Sequence, residues 1–176
     1  EHTVQPGMIY ISFSTELRTV YILAELEALA AVRREYDIPL FIDGARMGYG
    51  LASEGCDVTI KDIARLADVF YIGGTKQGAL FGEAVVITND SLKKDFRYFI
   101  KQNGGMLAKG RLLGIQFLAL FEDGLYFSLS EHAVSLAHKL RAALKAKGYA
   151  FLVESPGSQQ FPILGNELVK ALSSEF

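Results

Sequence analysis

Cysteine is nearly absent from this chain, because Cys56 is the one cysteine among 176 residues. A single thiol cannot form an internal disulfide, so the sequence gives no sign of an oxidising compartment. Long runs of lysine and arginine are also lacking, since 18 basic residues against 20 acidic ones leave a formal charge of −2. No run of lysine and arginine is long enough to bind along the phosphate backbone of a nucleic acid. We therefore expect a cytoplasmic protein that does not bind nucleic acid.

Segments that direct a protein to a membrane are lacking as well. No uninterrupted apolar stretch reaches the roughly 20 residues that cross a bilayer, and the start, EHTVQPG, has no signal-peptide character. We expect no membrane partner. Half of the residues are nonetheless hydrophobic, and the mean hydropathy is +0.21 although 22% of the residues are charged. These values predict a well-packed core and apolar surface that is covered by another subunit or by further parts of the same protein.

Short apolar runs alternate with amphipathic segments in the first half of the chain. The predicted strands are MIYISF (8–13), LFID (40–43), DVFYIGGTK (68–76) and EAVVITN (83–89). A helix with an apolar stripe at Ile22, Leu26 and Leu29 follows the first strand, and Thr59 with Asp62 forms a capping box before another helix. This alternation is typical of β-α-β units, with parallel strands and helices on both faces. We predict an α/β fold with a mostly parallel sheet flanked by helices.

The second half of the sequence is mainly helical. Residues 92–100 are amphipathic, and LLGIQFLALFEDGLYF (112–127) is so apolar that we expect it to be buried. Ser128 and Glu131 form a second capping box, which predicts a helix that starts there and ends at Gly148. YAFLVE (149–154) is a predicted strand, followed by a turn at SPGS.

Two predicted strands end in residues of opposite charge. Asp43 ends the second strand in FIDGAR, and Lys76 ends the third in GGTK, one β-α-β unit later. Ligands of open parallel sheets bind at the carboxyl ends of the strands, so the carboxylate and the amine should meet at one edge. Four glycines surround the lysine, and we expect them to leave room for a planar group: Gly73, Gly74, Gly78 and Gly82.

A lysine, an aspartate and an arginine at such an edge suit pyridoxal phosphate, which needs an amine to hold its aldehyde as a Schiff base. Lys76 is the candidate amine, Asp43 the candidate partner of the pyridine nitrogen, and Arg46 a candidate ligand of the cofactor or of a substrate carboxylate. Each also has a structural interpretation. Asp43 suits a turn, Lys76 a solvated charge, and Arg46 an ion pair with Asp43. No metal site is expected, because His132 and His138 fall on different helix faces.

A resemblance to a known family rests on four stretches: PGMIYISFSTEL, PLFIDGARMGYGL, DVFYIGGTKQGALFGEAVVI and NGGMLAKGRLLGIQF. Together they resemble the pyridoxal-phosphate-dependent low-specificity threonine aldolases, which belong to the β-eliminating lyase group of the aminotransferase-like fold, fold type I. The resemblance implies that Lys76 is the catalytic Schiff-base lysine, that Asp43 faces the pyridine nitrogen, that Arg46 binds the substrate carboxylate, and that Thr75 adjoins the cofactor. It also implies that Lys109, or Arg111 in its place, approaches the cofactor phosphate from the partner subunit.

The same resemblance implies a domain organisation and an assembly. Residues 1–127 would be the C-terminal half of the large cofactor-binding domain, and residues 128–176 an inter-domain helix with the start of an incomplete α+β small domain. Family members are about twice this length, so we expect a central piece that lacks the phosphate-binding loop before it and a second carboxylate-binding arginine after it. A homodimer or homotetramer is implied. Arg18 replaces a glycine of the family, and the loop should change course or point the charge outward.

For the complete protein, the resemblance implies cleavage of L-threonine or L-allo-threonine to glycine and acetaldehyde. Two alternatives stay open at the level of sequence. One is another pyridoxal-phosphate-dependent β-eliminating lyase on the same fold. The other is an inactive fragment that binds no cofactor. The base that accepts the hydroxyl proton is not assigned by these residues.

Overall fold

A computed structural model describes residues 2–175 of the chain, which contain a four-stranded sheet. The strands lie in the order β1 (Ile9–Ser12), β2 (Leu40–Asp43), β3 (Val69–Gly73) and β4 (Glu83–Ile87). β1, β2 and β3 are parallel, whereas β4 runs antiparallel to β3. The mostly parallel sheet is thus confirmed. β4 is the exception because the connection at residues 74–82 is too short for the helical crossover that a parallel strand needs.

The helices in residues 2–175 are α1 (Leu23–Tyr36), α2 (Met47–Leu51), α3 (Ile60–Leu66), α4 (Phe96–Gln102), α5 (Arg111–Phe121), α6 (Leu125–Ala146) and α7 (Asn166–Leu172). Two short 3₁₀ turns accompany them, at Asp90–Leu92 and Glu122–Gly124. The capping box of α3 is confirmed, since the amide of Thr59 donates to the carboxylate of Asp62 at 3.0 Å and the Thr59 hydroxyl accepts from the Asp62 amide. These two bonds satisfy donors that the first turn would leave free.

The capping box predicted at Ser128 is wrong. α6 begins at Leu125, directly after Gly124, whose φ of 73° lies in the left-handed region. Ser128 is therefore inside the first turn, where its hydroxyl donates to the carbonyl oxygen of Leu125 at 3.0 Å. The helix ends at Ala146, and Gly148 follows with a φ of 84°, which agrees with the predicted glycine stop.

The buried core lies on one face of the sheet. Side chains of alternate strand residues on this face are almost fully buried: Ile11, Leu40, Ile42, Phe70 and Ile72. They pack in one cluster with residues from α1, α2, α3, α5 and α6. Crossover connections are right-handed, so two of them that step in the same direction along a sheet place both helices on the same side. α1 and α3 are two such connections.

The opposite face of the sheet is not buried. Tyr10 on β1 and Val85 on β4 are each 53% exposed, and Phe41 and Tyr71 between them are half-buried. The ring of Phe41 stacks on Tyr10 at a centroid distance of 5.5 Å and lies 6.1 Å from Tyr71. The expectation that helices cover both faces is therefore wrong for the described residues. An accessible aromatic surface lies beside the end of β2.

Helix α5 is more exposed than its composition predicted. Leu112, Ile115 and Leu118 are 53%, 43% and 68% exposed, and Leu120 is the one residue of the helix that is buried. The prediction that residues 112–127 are buried is wrong for this helix, although Tyr126 is fully buried at the start of α6. Apolar side chains at i, i+3 and i+6 follow one side of the helix, so α5 carries an apolar stripe that residues 2–175 do not cover.

The run Arg111–Ala146 is long and apolar enough to cross a membrane by length and composition alone. We did not expect such a run from the sequence. It is not one straight helix, because Asp123 has a φ of 51° and separates α5 from α6. Across the turn, the ring of Phe121 at the end of α5 stacks on the ring of Tyr126 in α6, at a centroid distance of 5.0 Å. Core helices of other proteins pass the same test of length and composition, so the run is weak evidence for a membrane span.

The segment after α6 is irregular. The predicted strand at residues 149–154 is reduced to an isolated antiparallel bridge between Phe151 and Pro162. The next residues are held by side chains of α6. Arg141 donates to the carbonyl oxygen of Ser155 at 2.7 Å, and the Nε2 atom of His138 lies 2.8 Å from the carbonyl oxygen of Pro156. These contacts carry residues 155–160 back towards the carboxyl ends of the strands.

Candidate active site

The loops that follow β2 and β3 are joined directly by their backbones. The amide of Gly73 donates to the carbonyl oxygen of Gly44 at 2.8 Å. A Cβ atom on Gly44 would lie 1.8 Å from the Tyr71 oxygen, and one on Gly73 would lie 2.3 Å from the Ala45 oxygen. The two glycines are needed for this close approach. The approach brings the DGAR loop and the GGTK loop to the same edge of the sheet, as predicted.

Asp43 is held as a hydrogen-bond acceptor at the end of β2. Its Oδ2 atom accepts from the Tyr10 hydroxyl, and its Oδ1 atom accepts from the Ala45 amide at 2.9 Å. Partial burial on its own would raise the pKa of Asp43. The hydroxyls of Tyr10 and Tyr71, the Ala45 amide and the charge of Lys76 act against burial, and the pKa ends below its usual value. Asp43 is therefore an ionised carboxylate near neutral pH.

The loop that carries Lys76 is fixed by a buried hydrogen-bond network. The Tyr126 hydroxyl donates to Gln77 Oε1 at 2.7 Å and accepts from the Gly48 amide at 3.2 Å. Gln77 in turn donates from Nε2 to the Ser130 hydroxyl at 2.7 Å. Gly48 allows this packing, because a Cβ atom there would lie 1.9 Å from Gln77 Nε2. The backbone next to Lys76 is thus attached to α2 and α6.

The side chain of Lys76 is exposed, and its charge is one of those that lower the pKa of Asp43. Within residues 2–175 its ammonium group forms no ion pair. Its carbonyl oxygen accepts a hydrogen bond from the Tyr49 hydroxyl. The amine is therefore held by its backbone while its side chain stays free to meet a ligand.

An open cavity of about 410 Å³ lies beside this amine. Its lining residues come from four parts of the chain: Arg46, Tyr49, Lys76, Ala133, Ser158 and Gln159. Arg46 is half-buried at the start of α2, and in the described part of the chain it forms no ion pair with Asp43. The interpretation of Arg46 as the ion-pair partner of Asp43 is therefore wrong. An amine and a guanidinium share one cavity.

The four glycines near Lys76 pack against protein atoms. A Cβ atom on Gly74 would lie 2.6 Å from the Gly82 oxygen, and one on Gly82 would lie 2.3 Å from Leu113. Gly78 and Gly82 also have φ values of 109° and 94°, which glycine adopts most readily. The expectation that these glycines leave room for a planar ligand is wrong. They shape the loop itself.

The remaining predicted site residues lie outside the cavity lining. Thr75 is exposed next to Lys76, while Lys109 is exposed in the turn before α5 and Arg111 is exposed at the first residue of that helix. Their predicted roles toward the cofactor stay predictions. Residues 2–175 contain no group of three or more His, Cys, Asp or Glu side chains that could hold a metal ion.

Several residues of the site were not predicted from sequence. Tyr10 and Tyr71 lie on the same sheet face as Asp43 and contact its carboxylate. Alternation of side chains along the strands, together with the pairing of Tyr10 with Phe41, places them on that face. No local signal identified Ser158 or Gln159, because they reach the cavity only through the path of the chain after α6. Arg18 also differs from expectation: it is 5% exposed and points inward, with a φ of 66°.

The fold and the edge arrangement define a class of protein. A mixed sheet flanked by helices, with an aspartate and a lysine at the carboxyl ends of adjacent strands, is the arrangement expected for the large domain of a fold type I enzyme. A protein-family model described as beta-eliminating lyase matches residues 1–161. The chain belongs to the beta-eliminating lyase family, a family of pyridoxal-phosphate enzymes.

Three relatives carry the name of one activity. Low-specificity L-threonine aldolases from a Pseudomonas species and from Pseudomonas aeruginosa are 32% and 33% identical to this chain over 173 residues. A solved structure of a threonine aldolase from Leishmania major is 47% identical, with a TM-score of 0.96 over the whole of this chain. The resemblance to this group is confirmed, and so is the fold.

The chain spans about half the length of these relatives. It covers 48% of each Pseudomonas protein and 52% of the Leishmania chain. The Leishmania structure therefore shows the fold of the part that it shares with this chain.

Proposed function

We propose that the complete protein cleaves L-threonine or L-allo-threonine to glycine and acetaldehyde with pyridoxal phosphate as its cofactor. The observation that carries this proposal is the placement of an ionised Asp43 at the same sheet edge as Lys76, which forms no ion pair within residues 2–175, with Arg46 lining the same cavity as the lysine. The names of the relatives support the choice of reaction within the family.

The residues present fit the cofactor in their chemistry. Asp43 stays ionised despite partial burial, as a partner of a protonated pyridine nitrogen requires. Lys76 has a side chain that residues 2–175 leave unpaired, as an amine that holds an aldehyde requires. The aromatic rings of Tyr10, Phe41 and Tyr71 form an accessible surface beside Asp43. Thr75 adjoins the cofactor in this proposal.

Each residue has one task in the proposed reaction. Pyridoxal phosphate, when bound, supplies an electron sink for the bond that breaks at the substrate α-carbon. Asp43 keeps a proton on the pyridine nitrogen, and the hydrogen bonds from Tyr10 and Ala45 hold its carboxylate in position. Lys76 would hold the cofactor through its side-chain amine. Arg46 binds the substrate carboxylate, since a guanidinium offers two parallel donors.

We also propose that the protein is a homodimer or homotetramer. The apolar stripe of α5, formed by Leu112, Ile115 and Leu118, supports an interface because residues 2–175 leave it exposed. Lys109 in the turn before this helix, or Arg111 at its first residue, would reach the cofactor phosphate of the partner subunit. A cytoplasmic location is proposed from the single cysteine.

Product analysis of the complete protein loaded with pyridoxal phosphate tests the proposed reaction. We expect glycine and acetaldehyde in equal amounts from L-threonine or L-allo-threonine, and no pyruvate from L-cysteine or L-tyrosine. Lys76→Ala should abolish the products, whereas Lys61→Ala, at an exposed position of α3, should not. Pyruvate from cysteine or tyrosine without glycine from threonine would identify a different β-eliminating lyase. No product from any of these amino acids would indicate an inactive protein.

A further inference from the structure

Arg18 places a buried positive charge next to the candidate cavity. It is 5% exposed, its Nη1 atom donates to the carbonyl oxygen of Thr15 at 2.8 Å, and its Nε atom donates to Gln159 Oε1. Both acceptors are neutral. Within residues 2–175 Arg18 forms no ion pair with a carboxylate. Burial of this charge is costly, so an anion bound beside the guanidinium would stabilise it.

Gln159 links this guanidinium to the cavity. It accepts the hydrogen bond from Arg18 and also lines the cavity together with Arg46 and Lys76. Burial lowers the pKa of the Arg18 guanidinium, and the positive charge of Arg46 lowers that pKa further. The negative charge of Glu16 acts in the opposite direction and raises that pKa. Gln159 joins the two arginines, since it accepts from Arg18 and lines the cavity beside Arg46, and a carboxylate bound between them would offset their repulsion.

We propose that Arg18 is a further substrate-binding residue, which acts with Arg46 to bind the carboxylate of the amino acid in the cavity lined by Lys76 and Gln159. This proposal rests on the proposed function for the identity of that amino acid. Arg18 Nη2 has no hydrogen-bond partner among the described residues and is the donor available to the carboxylate. A carboxylate held at these two guanidiniums leaves the amino group of the same molecule free to approach Lys76.

The backbone of Arg18 supports a binding role over a purely structural one. Its φ of 66° lies in the left-handed region, where glycine is strained least. Glycine or asparagine would suit this φ best if the residue had only a structural role in the loop. An arginine at a backbone conformation that disfavours it is a strained residue of the kind that clusters at ligand sites, which fits a charge that meets a ligand.

The test compares glycine with glycinamide as ligands of the complete holoenzyme, followed by the change in the visible absorbance of the bound cofactor. The two probes share an amino group, and only glycine has a carboxylate. Arg18→Gly removes the guanidinium and keeps a residue suited to the positive φ. We expect the Kd of glycine to rise about tenfold or more, the loss typical of one charge-assisted hydrogen bond, with the Kd of glycinamide unchanged.

Two further variants complete the experiment. Arg34→Gln is the matched control, because Arg34 is exposed in the last turn of α1, and it should leave both Kd values unchanged. Arg18→Asn also removes the guanidinium and places a residue that tolerates a positive φ, and it should weaken glycine binding selectively. This second variant decides the matter if Arg18→Gly does not fold.

An unchanged Kd of glycine in Arg18→Gly overturns the proposal, as does an equal loss for glycine and glycinamide, which a structural role would produce. Failure of the proposed function is a separate result. A wild-type holoenzyme that binds glycine but does not cleave threonine refutes the reaction, while the comparison of the two ligands still tests Arg18.

Discussion

The hydrogen bond from the amide of Gly73 to the carbonyl oxygen of Gly44, at 2.8 Å, joins the two loops that carry the candidate catalytic residues. Asp43 directly precedes Gly44, and Lys76 follows Gly73 by three residues. The carboxylate and the amine are therefore positioned by one backbone contact between adjacent parallel strands. Neither glycine leaves space for a side chain, so this contact sets the geometry of the site.

Gly44→Ala is predicted to destabilise the protein strongly. The new Cβ atom would lie 1.8 Å from the Tyr71 oxygen and must push the two strands apart, at a cost of about 3 kcal/mol or more. Gly114→Ala is the matched control on α5, where nothing lies within 4 Å of the added atom. It should stabilise the helix by roughly 0.5–1 kcal/mol. Urea unfolding measures both values, and similar effects for the two variants would contradict this prediction.

Tyr10→Phe is predicted to raise the pKa of Asp43, because it removes a hydrogen-bond donor from the carboxylate. A carboxyl group with a lowered folded pKa stabilises the protein above its unfolded pKa of about 3.9, and this contribution is lost as the pH falls through the folded value. The variant should therefore lose stability against wild type at pH 7 and lose less at pH 3.

A pH titration of the Asp43 carboxyl carbon by NMR measures this shift directly. Tyr36→Phe is the control, since Tyr36 is 65% exposed at the end of α1. A carboxyl pKa that is the same in wild type and Tyr10→Phe would show that the tyrosine does not tune Asp43.

Asp68→Asn is predicted to destabilise the amino ends of the strands. Asp68 is 1% exposed and accepts hydrogen bonds from Arg33 at 2.7 Å, the Leu40 amide at 2.8 Å and Asn89 at 2.9 Å. Loss of the charge leaves Arg33 without its partner and costs about 3 kcal/mol, which lowers the Tm by roughly 6–12 °C. Asp90→Asn removes an exposed pair with Lys93 and should leave the Tm close to that of wild type in calorimetry. Equal Tm values for the two variants would be inconsistent with a buried role for Asp68.

Leu118→Glu is predicted to lower the oligomeric mass of the complete protein. Leu118 is 68% exposed in the apolar stripe of α5, and a carboxylate buried in a subunit interface would be strongly unfavourable. Sedimentation velocity measures the mass. Leu152→Glu, at a 65% exposed position after α6, is the control and should keep the wild-type mass. A Leu118→Glu protein with unchanged mass would exclude this stripe as an interface.

Much of the fold could be predicted from sequence, because local signals agreed with the final structure. The apolar runs at β1, β2 and β3 and the capping box at Thr59 needed no tertiary information. The exposure of α5 could not be predicted in the same way. Composition shows that a helix is apolar, but it does not show whether the covering surface lies in the same stretch of chain. The start of α6 predicted at Ser128 is wrong because the helix begins at Leu125, directly after Gly124.

The candidate site was predictable where it depends on strand ends, and not where it depends on long-range packing. Asp43, Arg46 and Lys76 follow from the position of FIDGAR and GGTK after parallel strands. Gln159 enters the cavity through the path of residues 155–160, which no periodicity encodes. The inward orientation of Arg18 likewise depends on its contact with Gln159.

The central claim is that Lys76 is the amine that binds pyridoxal phosphate. Incubation of the complete protein with the cofactor, reduction with borohydride, proteolysis and mass spectrometry would locate the attached group. We predict that the pyridoxyl group is found on the peptide that contains Lys76 and that Lys76→Ala abolishes this labelling. Attachment to a different lysine, or an equally labelled Lys76→Ala protein, would contradict the account.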